Sequence, residues 1–92
     1  MTHSARLTNT DGTWEIYVVT DSPYPWDWPT HKFGAAAAIP TLAQRDRALA
    51  ALGYEVAPRA EWEWQELPSG YMDSVELLAA LQVQPAGTGV AA

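Results

Sequence analysis

This 92-residue sequence contains two histidines, His3 and His31. Histidine is the side chain whose charge normally changes near neutral pH, so these two are the first candidates for acid–base chemistry. His31 follows Asp21 and Asp27 in the chain, and an aspartate–histidine pair can act as a base or bind a metal. A metal site needs at least a third ligand, which this segment does not offer. His3 lies in a segment that we expect to fray. The sequence therefore predicts that His31 is an exposed loop histidine without a catalytic or metal-binding role.

Recognisable catalytic motifs are missing from the sequence. It contains no glycine-rich phosphate loop, no H-E-x-x-H pattern and no G-x-S-x-G pattern, and none of its serines has a base nearby in the chain. Glu61 and Glu63 form a carboxylate pair, but their spacing is more typical of a solvated strand face than of a catalytic site. We therefore predict no catalytic residue, no metal and no cofactor, although the sequence leaves enzymatic activity open.

The segment 24–29, which reads YPWDWP, is the strongest candidate for a binding site. Tryptophan and tyrosine dominate binding hot spots because they offer a large contact area at low entropic cost, and the prolines limit the freedom of the segment. An alternative is that the segment folds back and covers the core, and both interpretations hold if one tryptophan packs inward while another stays exposed. The predicted binding residues are Tyr24, Trp26, Asp27, Trp28 and His31.

The charge balance of the chain limits its possible partners. Eleven acidic residues against five basic ones give a net charge of −6, which repels nucleic acid, so we expect no direct nucleic-acid binding. There is no cysteine, which removes disulfides and thiolate metal sites. No run of about 18 apolar residues is present and the first residues carry no apolar signal core, so we expect a soluble cytoplasmic protein without a membrane partner.

The N-terminal part of the sequence predicts a β-hairpin. Segments 5–9 and 13–20 are rich in β-branched and aromatic residues, and the Asp11-Gly12 pair between them readily adopts positive φ in a tight turn. Alternation along the second strand turns one set of side chains towards the core: Trp14, Ile16 and Val18. The other set faces away from it: Glu15, Tyr17 and Val19.

Residues 21–34 are predicted to form a stiff loop. They contain three prolines, which exclude a regular helix and push the preceding residues into extended geometry. The segment 33–39 contains four consecutive alanines and could form a helix, but Pro40 argues against a helix that continues, and we predict a short strand.

One helix is predicted over residues 42–52. Thr41 is a suitable N-cap, Gln44 completes a capping box, and Gly53 is a natural residue to end the helix. Arg45 projects from the apolar stripe of this helix, and we expect its stem to pack while its charged end reaches water or a carboxylate. The apolar stripe consists of Leu42, Leu49 and Leu52.

Three further strands are predicted, over residues 54–57, 61–67 and 75–84. Strict alternation in the second of them places Trp62 and Trp64 in the core and the intervening glutamates outside. The segment 75–84 also contains good helix formers, but its alternating end and the need of the preceding strand for a partner favour a strand.

These elements, in the order β-β-β-α-β-β-β, predict an α+β fold with a single helix on one face of a mostly antiparallel sheet of about five strands. Residues 1–85 are expected to form one domain, and the small, glycine-bearing tail 86–92 is expected to be disordered. One-sided burial would leave an acidic surface on the other face of the sheet, formed by Glu15, Glu61, Glu63 and Glu76.

Several segments of the sequence resemble a family of small uncharacterised actinobacterial proteins. Segments 47–54 and 61–66, which read RALAALGY and EWEWQE, carry the resemblance together with the opening segments 6–8 and 13–19. The resemblance spans most of the chain and implies a domain of unknown function, often associated with phage or integrative elements. It assigns no catalytic residue.

The sequence favours a non-catalytic, acidic protein-interaction domain that uses the aromatic loop, residues 21–34, against a protein partner or a second copy of itself. One alternative is a binder of a sugar or a planar metabolite held by Trp26 and Trp28. A second alternative is an inhibitor whose acidic surface imitates nucleic acid, although duplex phosphates are spaced far more densely than these carboxylates can be.

Overall fold

The computed structural model of the chain describes residues 2–10, 12–35, 38–68, 70 and 75–87. Within these residues the chain forms six strands, one α-helix and one short 3₁₀ helix. The strands are β1 (His3–Thr10), β2 (Thr13–Val19), β3 (Thr30–Ala35), β4 (Tyr54–Val56), β5 (Glu63–Pro68) and β6 (Val75–Pro85). The helix α1 spans Leu42–Ala51, and the 3₁₀ helix spans Pro25–Asp27.

All six strands form one antiparallel sheet, in the order β3-β2-β1-β6-β4, with β5 also paired to β6. With 11 residues, β6 is long enough to pair with β5 along its first part and with β4 at its end. The predicted α+β class, an antiparallel sheet with one helix, is confirmed. The exact strand order differs from the prediction. The strands do not lie in the sheet in their order along the chain, because β6, the last strand, lies between β1 and β4.

The first hairpin supplies much of the core. Its register pairs Ala5 with Val18 and Leu7 with Ile16, and in β2 buried residues alternate with partly exposed ones. We call the side of the sheet that carries Leu7 and Ile16 the helix-facing side, because Ala48 and Leu49 of α1 pack on it. The opposite side, which carries Tyr17, is the open side. The buried core cluster consists of Ala5, Leu7, Trp14, Ile16, Val18, Ala48, Leu49, Ala79, Leu81 and Val83.

The helix begins and ends at its predicted signals. The hydroxyl of Thr41 accepts a hydrogen bond from Gln44 N at 3.1 Å, and the Gln44 side chain accepts one from Thr41 N at 2.8 Å. Gly53 follows the helix with φ +91°, a conformation that L side chains rarely adopt. One member of the predicted apolar stripe is wrongly placed, because Leu42 is 63% exposed at the first position of the helix.

The boundary between the predicted loop and the strand that follows it differs from the sequence prediction. The strand predicted over 33–39 begins earlier, at Thr30, so the loop predicted over 21–34 ends at Pro29. Pairing with β2 explains the shift, since Thr30 lies opposite Tyr17 in a regular antiparallel register. Residues 36 and 37 of the predicted strand lie outside the described residues. So do residues 88–92 of the predicted tail, whereas Ala86 N donates to the carbonyl of Gly53 at 2.8 Å.

The predicted burial of the two tryptophans around β5 needs correction. Trp64 is 42% exposed and Trp62 only partly buried, although Glu61 and Glu63 are exposed as predicted. Trp64 does face the same side of the sheet as the core, because it lies opposite the buried Ala79. However, α1 packs mainly on β4 and β2 and approaches β5 through Arg45, so the helix-facing side of β5 is only partly covered.

Candidate functional site

The aromatic loop is held in shape by hydrogen bonds that centre on Ser22. The Ser22 hydroxyl donates to Asp27 Oδ2 at 2.9 Å and accepts from Tyr24 N at 3.2 Å. The indole Nε1–H of Trp28 donates to the Ser22 carbonyl at 3.1 Å. The conformation of the loop is therefore fixed by its own polar groups, as in other serine-containing turns.

The end of the loop is attached to the sheet. Val18 N donates to the carbonyl of Pro29 at 3.0 Å. The ring of Trp28 stacks on Tyr17, with ring centres 5.9 Å apart and planes inclined by 12°. Trp28 thus packs on the open side of the sheet and is not part of the core cluster.

The tip of the loop presents two stacked aromatic rings to solvent. The ring centres of Tyr24 and Trp26 lie 4.8 Å apart, with planes inclined by 23°. Trp26 is 76% exposed and Tyr24 is 52% exposed. We call this pair the aromatic platform. Offset stacking and the 3₁₀ helix that begins at Pro25 limit the conformations available to both side chains.

Of the predicted binding residues, His31 is not part of this cluster. It lies in β3 rather than in a loop, opposite Ile16, and its ring contacts Phe33 edge-on at 4.9 Å. Directly opposite residues of antiparallel strands share a face, so His31 lies on the helix-facing side while Trp28 packs on the open side. The prediction that His3 lies in a frayed segment is wrong. His3 lies in β1, and the centre of its ring is 5.7 Å from that of Tyr54.

The open side of the sheet carries a mixture of charges rather than a purely acidic surface. Glu15, Glu63 and Glu76 lie on it, as the strand period predicts. Glu61 precedes β5 and therefore has no position in the sheet. Two cations lie on the same side: Arg6, opposite Tyr17, and Lys32, opposite Glu15.

A second feature is a buried arginine on α1, whose stem the sequence predicts to pack but whose burial beside two tryptophans it does not predict. Arg45 is 8% exposed, and its Nε–H donates to the carbonyl of Pro40 at 2.9 Å. Its guanidinium carbon lies 5.3 Å from the ring centre of Trp62 and 5.8 Å from that of Trp64. Burial lowers the pKa of Arg45 from its usual value, and attraction to Asp46 offsets part of this effect. The signal in the sequence was an arginine in a leucine stripe, followed by a pair of tryptophans.

Arg45 forms part of the lining of a groove of about 460 Å³. Apolar side chains from α1, β4, β5, β6 and the segment before β5 form most of its walls: Leu42, Val56, Trp62, Trp64 and Leu81. Two exposed carboxylates, Asp46 and Glu61, lie at its rim. We call this site the Arg45 groove. It combines apolar walls with one buried cation, which is a common composition for small-molecule sites.

Trp64 separates the groove from the core. Its ring lies edge-on against Trp14, with ring centres 6.2 Å apart and planes inclined by 89°. Trp14 is 5% exposed, and its Nε1–H has no hydrogen-bond partner among the described residues. An unpaired buried donor costs about 1–3 kcal/mol of stability. The packing of Trp14 against Trp64 must offset this cost.

Fold and sites define a small α+β protein with an exposed aromatic platform and a groove beside a buried arginine. The chain belongs to a family described as "Family of unknown function (DUF6303)", which matches residues 1–91. No curated protein and no solved structure matches the chain. Within the described part of the chain, no group of three or more potential ligands is placed to hold a metal ion. No helix in that part is long and apolar enough to cross a membrane.

Proposed function

We propose that this chain is a non-catalytic protein-interaction domain that contacts its partner through the aromatic platform of Tyr24 and Trp26. The observation that carries the proposal is the exposure of Trp26, which is 76% exposed although its ring is stacked on Tyr24. Removing a tryptophan surface from water is strongly favourable, so a partner that covers this ring gains a large contact. Exposed aromatic residues in a fixed conformation are typical binding hot spots.

The rigidity of the loop supports this role. The bonds around Ser22, the stacking of Trp28 on Tyr17 and the bond between Val18 and Pro29 all fix the base of the platform. A preorganised loop loses little conformational entropy when it binds, which leaves more of the contact energy for affinity. A loop that served only to cover the core would not need an ordered pair of rings in solvent.

The charges near the platform indicate the chemistry of the partner. Asp21 and Asp27 are exposed and flank it in the sequence, and the whole chain carries a net charge of −6. An apolar pocket with a basic rim is therefore complementary, whether on another protein or on a second copy of this chain. The same charge disfavours direct binding to nucleic acid.

The proposal also covers location and domain extent: the protein acts in the cytoplasm, and residues 1–85 form one domain.

The two alternative functions have less support. Trp26 and Trp28 stack on different tyrosines, so a sugar or planar metabolite between them would find one face of each ring already used. Imitation of nucleic acid by the open side is weakened by Arg6 and Lys32, which reduce its negative potential.

An actinobacterial origin and an association with mobile elements are further parts of the proposal. They are supported by the resemblance of segments 47–54 and 61–66, and by an alanine-rich composition with the single lysine Lys32, which is typical of a GC-rich genome. The family match itself concerns only a family of unknown function.

A pair of matched variants tests the platform. Trp26→Ala removes the exposed ring, whereas Leu42→Ala removes a side chain of comparable exposure, 63%, outside the loop. Sedimentation velocity measures self-association, and calorimetry measures the affinity for any protein captured from host lysate and then purified. We expect Trp26→Ala to weaken binding at least about tenfold, and Leu42→Ala to change it by less than about twofold.

Three outcomes would contradict the proposal. One is binding or self-association that survives Trp26→Ala. The second is a chain that stays monomeric and captures no protein beyond those that Trp26→Ala also captures. The third is binding that weakens steeply with salt and with the Glu61→Gln/Glu63→Gln double variant but is unchanged by Trp26→Ala, which would assign the function to the acidic surface.

A further inference from the structure

The Arg45 groove contains a buried cation whose charge is compensated in part by its attraction to the exposed carboxylate of Asp46. The hydrogen bond from Arg45 Nε goes to the backbone carbonyl of Pro40, which is a neutral acceptor. The guanidinium has five donors in a planar fork that matches a carboxylate. Because Arg45 is 8% exposed, the effective dielectric constant around it is lower than that of water, and its attraction for an adjacent anion is correspondingly stronger.

The rest of the groove suits a flat apolar group. The rings of Trp62 and Trp64 and the side chains of Leu42 and Val56 line it, and its volume is about 460 Å³. Small-molecule sites typically have volumes of about 300–1,000 Å³ and mostly apolar walls with a few polar groups. Leu42 and Trp64 are 63% and 42% exposed, so both would lose contact with water when a ligand covers them.

The charges of the groove select among ligand types. A cationic ligand is disfavoured, because the guanidinium of Arg45 already lies against both tryptophan rings. The rim carboxylates Asp46 and Glu61 are exposed, so water and salt screen them more than the buried arginine. An anion next to Arg45 is therefore the charge that the groove complements best.

We propose that the Arg45 groove binds a small organic carboxylate with a flat apolar body, with the carboxylate paired to Arg45 and the body against Trp62 and Trp64. This site lies apart from the aromatic platform and goes beyond the proposed interaction function. The ligand class is set by the fork of one guanidinium and by two ring faces.

Three probes with the same phenylethyl body test the charge preference: hydrocinnamate, phenylalanine and phenethylamine. Titrations are followed by heteronuclear NMR of the Arg45 Nε–H and of the Trp62 and Trp64 indole N–H groups. We expect hydrocinnamate to bind with a Kd on the order of 1 mM, and phenethylamine to bind at least about fivefold more weakly. Phenylalanine, in which the ammonium group can meet the rim carboxylates, should bind about as well as hydrocinnamate.

The variants Leu42→Glu and Leu42→Gln provide a matched pair that differs only in charge. Leu42 is 63% exposed at the start of α1, so neither change removes core packing, and both folds are checked by circular dichroism. We expect Leu42→Glu to weaken hydrocinnamate binding at least about fivefold, and Leu42→Gln to weaken it by less than about twofold. Trp26→Ala should leave this binding unchanged, which separates the result from that on the platform.

Three results would overturn the proposal. Equal affinities for hydrocinnamate and phenethylamine would show that the groove recognises only the apolar body of the ligand and not its charge. Equal effects of Leu42→Glu and Leu42→Gln would show that charge has no part in binding. No shift of the Arg45 and tryptophan signals up to about 20 mM hydrocinnamate would show that the groove is not a site for this class of ligand.

Discussion

Arg45 shows at the scale of one residue how a charged side chain can occupy a position in an apolar stripe. Its guanidinium is weakly hydrated and planar, so it can lie under Trp62 and Trp64 at 5.3 and 5.8 Å while its Nε–H donates to Pro40. The sequence predicted that the charged end would reach water or a carboxylate. It lies against the two tryptophan rings instead, because β5 and the segment before it lie beside the helix.

Arg59 gives a testable consequence at the same scale. It has φ +65°, and it follows Pro58 in a turn in which Ala60 N donates to the carbonyl of Ala57 at 3.0 Å. A left-handed conformation costs an L residue about 1–2 kcal/mol, whereas glycine adopts it freely but loses about 0.5–1 kcal/mol more conformational entropy on folding. We expect Arg59→Gly to raise the free energy of unfolding by about 0.5–1 kcal/mol in urea denaturation.

The control for Arg59→Gly is the same substitution at an ordinary helical position. Arg47 is exposed within α1, where glycine should lower the free energy of unfolding by about 1 kcal/mol. If both substitutions destabilise the chain equally, the conformation of Arg59 in solution is not left-handed.

At the scale of the elements, the helix decides which part of the sheet is buried. Because α1 packs mainly on β4 and β2, the middle of the sheet is covered while β5 and the start of β6 remain exposed on both sides. The exposed large apolar residues in this region are Trp64, Leu67, Val75 and Leu77. The free edge of β5 ends at Pro68, which lacks an N–H group, and carries glutamates, both features that discourage pairing with other chains.

This difference in cover predicts unequal costs for two tryptophan substitutions. Trp14 is 5% exposed and Trp64 is 42% exposed, although they contact each other. We expect Trp14→Ala to lower the free energy of unfolding by about 3–5 kcal/mol and Trp64→Ala by about 1–2 kcal/mol. Chemical denaturation at equilibrium measures both values, and each variant serves as the other's control. Equal costs would mean that Trp64 is covered in solution.

At the scale of the whole molecule, the central strands come from opposite ends of the chain. Register pairs His3 with Val83 and Thr8 with Leu78, so the sheet is complete only when β6 pairs with β1. Folding must therefore close a loop that includes almost the whole chain before these contacts form. The helix and the antiparallel pairs β1–β2, β2–β3 and β5–β6 join segments that are close in the chain, so they can form earlier.

The long-range pairing of β1 with β6 predicts slow folding for a chain of this length. Domains dominated by distant strand pairing fold in roughly milliseconds to seconds, whereas small helical domains fold in microseconds to milliseconds. Stopped-flow tryptophan fluorescence should show a main refolding phase in the slower range. Ala5→Gly in β1 should slow refolding more than Ala50→Gly in α1 if β1–β6 pairing forms in the transition state. A main phase faster than about 1 ms would contradict this prediction.

The sequence alone determined those features that depend on neighbours along the chain. Thr41 and Gln44 cap the helix and Gly53 ends it, because capping depends on groups within a few residues. Alternation likewise determined which residues of β2 face the core, since the period of a strand is local. The aromatic loop was also found from the sequence, because prolines and tryptophans at close spacing are visible without a structure.

Only the tertiary structure decided how deeply each residue is buried and which residues meet. Trp64 alternates like a core residue but lies in an edge strand that the helix covers only in part, and alternation carries no information about the position of a strand in the sheet. Trp26 and Trp28 are two residues apart but stack on different tyrosines. Trp26 stacks on Tyr24 in the loop, whereas Trp28 stacks on Tyr17 in β2. The Arg45 groove combines α1 with residues that follow Arg45 by 11 to 36 positions, from Val56 to Leu81, and its charge and shape exist only because the sheet brings them together.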